Sequence, residues 1–164
     1  MAQELIALYP GTFDPVTMGH LDIIERASQL FSKIYVTILT HPSKQTLFPL
    51  EQRLEMLRQT TADLSCAGEI IISSHQGLSV EYCRQIGARA IIRGLRAQMD
   101  FEYEFQIAAA NQHLDPEIEM LFLMTRQNLA FVSSSTVKEI ASYQGKLDGL
   151  VPDIVIEALR KRYA

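Results

Sequence analysis

Residues 9–20 read YPGTFDPVTMGH, a run that holds Pro10, Gly11, Pro15 and Gly19 and ends on His20. Proline and glycine at this density fix a tight irregular path, and Gly11 and Gly19 are expected to let a ligand approach the main chain. His20 falls in the first turn of a helical pattern over 21–31, where free N–H groups and aligned peptide dipoles attract anions. A helix start alone contributes roughly 0.3–1 kcal/mol, up to ~2 when partly buried, too little to hold a nucleoside triphosphate. Cations must supplement it, and the sequence offers Lys44 in THPSK and Arg93 and Arg96 in IIRGLR. Hydroxyls and amides follow in VSSSTVKEI, where Ser133 to Thr136 precede a helix and Thr136 with Glu139 reads as a capping box.

Taken singly, each of these residues has a plain structural explanation. Thr17 and His20 suit a helix cap, Lys44 a solvated loop, Arg93 a snorkelling side chain and the serines another cap. Structural need gives no reason for all of them to recur at the ends of successive strands. His41, His75 and His113 lack ligand spacing and are read as structural. Other chemistries lack their signatures. There is no GxGxxG and no GxxxxGK[ST]; QGKLDG has no upstream glycine and no Ser/Thr, Glu81 spoils the nucleophile elbow imitated by GLSVE, and zinc-protease spacing is absent.

To bring these segments together the chain must alternate strand and helix. Apolar runs rich in branched residues occur at 5–9, 33–39, 69–73, 88–93 and 119–124, and suit strands buried on both faces. Between them, Leu21, Ile24, Ala27 and Phe31 share one helical face, Leu50, Leu54 and Leu57 another, and SVEYCRQIG closes on Gly87. MDFEYEFQI alternates like a strand, yet AAANQHL continues it without a turn, so a helix with Phe101, Phe105, Ala108 and Gln112 on one stripe is preferred. A last helix starts with Pro152 in its first turn. The order predicts an α/β fold: a doubly wound, five-stranded parallel sheet with helices on both faces and a C-terminal helix. In such sheets ligands bind beyond the carboxyl ends of the strands, where the opening run lies.

At 164 residues the chain is expected to form a single domain, 1–164, with a core that needs no staples. A net charge of −4 gives no general attraction for polyphosphate backbones, so nucleic acid is not an expected partner. Cys66 and Cys83 show no CxxC spacing and fit a reducing compartment. No apolar run approaches the ~18 residues of a membrane span, and the start MAQELIALYPG lacks a basic leader, so a cytoplasmic protein with no membrane partner is expected.

GTFDPVTMGHLDI, RGLRAQMDFEYE and FVSSSTVKE, in that order, resemble the phosphopantetheine adenylyltransferases. TxGH is shared more widely among Rossmann-like nucleotidyltransferases, including cytidylyl and nicotinamide-mononucleotide adenylyl enzymes, whereas RGLR with DFEYE is far more specific. The resemblance implies that ATP and 4'-phosphopantetheine give dephospho-CoA and pyrophosphate, with Mg²⁺ accompanying the ATP, in a homohexamer. By matched position, His20 would contact the triphosphate and stabilise the transition state, and Thr12 and Phe13 would border both ligands. Lys44 and Arg93 would grip the acceptor phosphate, with Thr12 and Ser79 also on that substrate. Gly94, Leu95, Arg96 and Glu104 would line the ATP site, and Leu129, Ala130, Phe131, Val132, Ser133, Ser134 and Ser135 would complete the nucleotide wall. Another nucleotidyltransferase of this fold, such as a cytidylyltransferase, and a non-catalytic nucleotide-binding module are the competing readings.

The physics fits that chemistry. A phosphate oxygen is already an anionic nucleophile, so no general base is needed, and the sequence shows no base–nucleophile pair. The difficulty is repulsion: two unit charges ~4 Å apart interact by about 4 kcal/mol at an effective dielectric near 20.

Overall fold

The computed structural model describes residues 4–164, so the first three residues of the start read above lie outside it. Five strands alternate with helices in the expected order: β1 (Ile6–Gly11), α1 (Met18–Ala27), β2 (Lys33–Thr40), α2 (Leu50–Ala62), β3 (Glu69–Gln76), α3 (Ser79–Ile86), β4 (Ala90–Leu95), α4 (Gln98–Leu114), β5 (Glu119–Met124), α5 (Ser134–Ser142) and α6 (Asp153–Arg162). The sheet is wholly parallel with strand order β3-β2-β1-β4-β5. The chain reverses its direction of winding between β1 and β4, which opens a crevice at their carboxyl ends.

The larger core packs α1, α2, α5 and α6 on one face of the sheet, through Ile24, Leu57, Val137 and Leu159 among others. A smaller one, built on Leu8, Val80, Cys83 and Ile91, lies under α3 on the opposite face. Burial drives the Cys83 thiol pKa up to about 12, with the Asp115 charge adding to it, as suits an inert core thiol. Both cysteines are free, and among the described residues no helix is long and apolar enough to cross a membrane.

Several boundaries differ from the sequence reading for local reasons. α1 begins three residues earlier because Thr17, in extended conformation, caps it. α5 is capped by Ser133, whose hydroxyl accepts the Thr136 N–H at 3.0 Å, so Thr136 lies inside the helix and forms no box with Glu139. Pro152 is the N-cap of α6, one residue outside it. The central strands are buried on both faces as expected, but the edge strand β5 exposes Leu121 and Met124.

The largest departure is in α4. MDFEYEFQI is helical, yet the stripe expected to pack inward faces out: Phe105 is 60% exposed, Phe101 is also exposed, and Glu104 and Asn111 are buried instead. These two polar residues are seven apart, two helical turns, and a partner on β4 dictates which face turns in.

Candidate active site

β1 runs through Pro10 to Gly11, but its pairing with β4 ends at Leu8↔Ile91 while pairing with β2 continues to Gly11↔Ile38. Pro10 has no N–H to extend the ladder towards β4. Its carbonyl instead accepts from Arg93 Nη1 at 2.9 Å, so a β4 side chain fills the place of a strand hydrogen bond. Beyond this splay lies a cleft of about 710 Å³.

His20 forms one wall. Its N–H donates to the Thr17 hydroxyl at 3.3 Å, while the Thr17 N–H donates to His20 Nδ1 at 3.0 Å. This is a capping box with imidazole in the place where a carboxylate usually sits. A nitrogen that accepts a hydrogen bond from a main-chain N–H does not itself carry the proton, so the neutral ring is protonated at Nε2. Burial, then the positive charges of Arg96 and Arg93, push the His20 pKa down to about 3. At physiological pH the ring is therefore an uncharged donor whose N–H lies across the ring from the cap. Phe13, with φ 46°, sets its ring edge-on to His20 at 4.9 Å. Gly11 makes room for that ring: a Cβ there would come within 2.9 Å of Phe13 Cε2. Gly11, like Gly19, still lines the cleft, but the space a side chain would take at Gly11 belongs to Phe13.

Arg93, on β4, lines the same cleft. Its Nε and Nη2 donate to the two oxygens of Glu104 at 2.8 and 2.6 Å, which explains why α4 turns an acid inward. With Pro10 taken as well, three of the five guanidinium hydrogens are engaged and two are left for a ligand. Two other cations are also paired with carboxylates, Arg96 with Asp100 at 3.2 Å and Lys138 with Asp14 at 3.3 Å. Lys44 donates to the Thr12 hydroxyl at 2.6 Å and has no carboxylate partner among the described residues. Four cations and three carboxylates therefore line the cleft, leaving one net positive charge. The strongly cationic site expected from the sequence is nearly balanced: the acids hold the arginines in fixed geometry and limit cation–cation repulsion before a ligand arrives.

The cleft brings together Thr12, Phe13, His20, Lys44, Ser79, Arg93, Gly94, Arg96 and Glu104, with Val132, Ser133, Ser134 and Ser135 on the α5 side. Leu95, Leu129, Ala130 and Phe131 are not on its walls. Leu95 turns into the core, Leu129 packs against the larger cluster, and Phe131 faces out, 60% exposed. Three residues given no role in the sequence reading support the site. Buried Asp14 accepts the Leu47 and Phe48 N–H groups at 2.8 and 2.9 Å and pairs with Lys138, tying three segments together. Lys138 itself was legible, since it stands four residues after Ser134 and so on the same helical face. Beneath the loop, buried Arg53 fixes Thr12 by donating from Nη1 to its carbonyl at 2.8 Å.

Residues 8–140 match the family described as cytidylyltransferase-like. Two curated relatives, both named phosphopantetheine adenylyltransferase, align over 96% of this chain: that of Caldanaerobacter subterraneus subsp. tengcongensis is 47% identical with 97% of its own length covered, and that of Desulfitobacterium hafniense is 49% identical with 95% covered. Two solved structures share the fold at low identity. A protein described as a nicotinate-nucleotide adenylyltransferase of Vibrio parahaemolyticus superposes with a TM-score of 0.70 at 13% identity, covering 98% of this chain and 96% of its own. The nicotinic acid mononucleotide adenylyltransferase of Plasmodium falciparum gives 0.63 at 15% identity, covering 97% and 96%. With near-complete coverage at almost half identity, and with the TxGH histidine, the Arg93–Glu104 pair and the α5 serines gathered on one cleft, the chain belongs to the phosphopantetheine adenylyltransferase family.

Proposed function

We propose that this chain transfers the adenylyl group of ATP to 4'-phosphopantetheine, giving dephospho-CoA and pyrophosphate. Beyond family membership, the observation that carries this reading is the opening of a neutral His20 donor and the Arg93 guanidinium onto one cleft at the β1/β4 crevice.

Lys44 and the two free N–H groups of Arg93 hold the acceptor phosphate, with Thr12 and Ser79 beside it. Arg96, Lys138 and the start of α5 face the triphosphate. An acceptor phosphate oxygen attacks the α-phosphorus of ATP and forms a P–O bond as the bond to the bridging oxygen of the β-phosphate breaks, and pyrophosphate leaves with that electron pair. The protein supplies alignment and charge stabilisation, and His20 Nε2–H donates to the oxygens that gain charge. Because His20 is neutral, it adds a directed hydrogen bond without drawing the ATP ground state in by a full charge. The Mg²⁺ that accompanies ATP would be held by phosphate oxygens and water and would neutralise part of the triphosphate charge.

The purified protein incubated with ATP, Mg²⁺ and 4'-phosphopantetheine should yield dephospho-CoA and pyrophosphate by mass detection, and neither when any one reactant is left out. Product from CTP but not ATP would assign the chain to cytidylyl transfer, and binding of ATP without turnover would leave a nucleotide-binding module. Self-association into a homohexamer, in the cytoplasm, belongs to the same reading. The outward apolar residues of α4 and β5, Phe101, Phe105, Leu121 and Met124, provide a surface for it. Light scattering should give six times the 18.5 kDa chain mass, and Phe105→Glu should lower it.

A further inference from the structure

Behind Gly77, which lines the cleft near Ser79, lies a hydrogen-bonding group that the mechanism above does not use. His75, at the end of β3, has an Nε2 that is fully buried and has no hydrogen-bond partner. An unpaired polar atom in a protein interior is costly, and its presence calls for a reason. The imidazole is well fixed: it stacks on Tyr82 with centroids 4.4 Å apart at 17°. The Tyr82 hydroxyl donates to Ser73, which is bonded in turn to Thr37. What covers Nε2 is Gly77, where a Cβ would lie 2.9 Å from that nitrogen. Gly77 also lines the cleft, as does Ser79 two residues on. Its φ of +141° is a conformation that L side chains rarely adopt. The segment then enters α3 through Leu78, which is exposed and provides no side-chain cap.

We infer that His75 Nε2 is a hydrogen-bonding group for an amide in the arm of the acceptor, reached when the Gly77–Leu78 main chain turns aside. The inference rests on the acceptor assignment above. An amide suits the position because it presents both a donor and an acceptor, and so pairs with Nε2 whichever ring nitrogen carries the proton. Its carbonyl can also take one of the free N–H groups at the start of α3. Gly77 permits the movement because glycine passes between such backbone conformations without a Cβ clash. Leu78, already in solvent, would then lie against the apolar part of the arm.

The test is His75→Phe, which keeps the ring stack on Tyr82 and removes the nitrogen; an unchanged melting temperature or a higher one would show that the fold is intact. The expected result is a rise in KM for 4'-phosphopantetheine of roughly five- to tenfold, the loss of one hydrogen bond, with KM for ATP unchanged. The inhibition constant of a simple alkyl phosphate, which has the charged end and no amide, should not move. His75→Gln, which restores a donor and an acceptor, should recover part of the loss. Equal shifts for both phosphates, or no shift for either, would overturn the inference. Wild-type protein that makes no dephospho-CoA would instead overturn the acceptor assignment.

Discussion

Arg93 and Glu104 meet side by side, two N–H groups on two carboxylate oxygens at 2.8 and 2.6 Å, and the acid is buried while a quarter of the arginine side chain remains exposed. If this pair aims the guanidinium, Glu104→Gln should lower kcat/KM for phosphopantetheine by roughly 10- to 100-fold, although it adds a net positive charge to the cleft. Steady-state kinetics decides between aiming and mere charge balance, because tighter acceptor binding in the variant would mean that the acid only mutes the arginine.

Removing Arg93 alone leaves Glu104 buried without its partner. Arg93→Ala should impair acceptor handling and also cost roughly 2–3 kcal/mol of stability, less than the ~3–5 of a fully buried pair because part of the arginine faces water. Denaturant titration of Arg93→Ala beside the double variant with Glu104→Ala checks this. The double variant should be the more stable of the two.

His20→Ala should lower turnover by roughly 10²- to 10³-fold, as expected for loss of one donor to developing charge, with little change in ATP affinity. Near-normal turnover would remove His20 from the mechanism. With its pKa pushed down to about 3, His20 does not ionise between pH 5 and 8, so the pH profile of kcat/KM should be the same in shape for the wild type and for His20→Asn.

The same depressed pKa has a sign for stability. Below the ~6.5 of an unfolded imidazole, the unfolded chain takes up a proton that folded His20 refuses. This contribution should therefore lower the stability of the ligand-free protein as pH falls from about 6.5 towards 3, with a slope approaching about 1.4 kcal/mol per pH unit. Melting curves of His20→Asn should show a shallower decline over that interval.

Lys138→Ala removes the only cation that α5 brings to the cleft among the described residues and leaves Asp14 with its two main-chain donors, Leu47 and Phe48. Isothermal titration should show ATP binding weakened roughly tenfold, a loss of about 1.4 kcal/mol for one charge-assisted contact. Acceptor KM should change little.

The amino-acid order by itself determined the alternation of strands and helices, and with it the parallel sheet, because apolar runs and helical stripes are local patterns along the chain. It also placed His20, Lys44, Arg93 and the α5 serines at strand ends, which is where a sheet of this kind binds ligands. Only the tertiary structure decided which groups each of them meets there. The threonine and histidine of TMGH read equally well as a cap or as a catalytic group; folded, the cap is what fixes the proton on Nε2. Asp100 stands four residues after Arg96, a local spacing, but the acidic partners of Arg93 and Lys138 come from other elements, so the near-neutrality of the cleft is only partly written along the chain. α4 shows the same limit most clearly. Its apolar stripe was visible, but which face turns inward was set by a guanidinium on β4, and desolvating that charge without a carboxylate would cost more than leaving Phe101 and Phe105 in water.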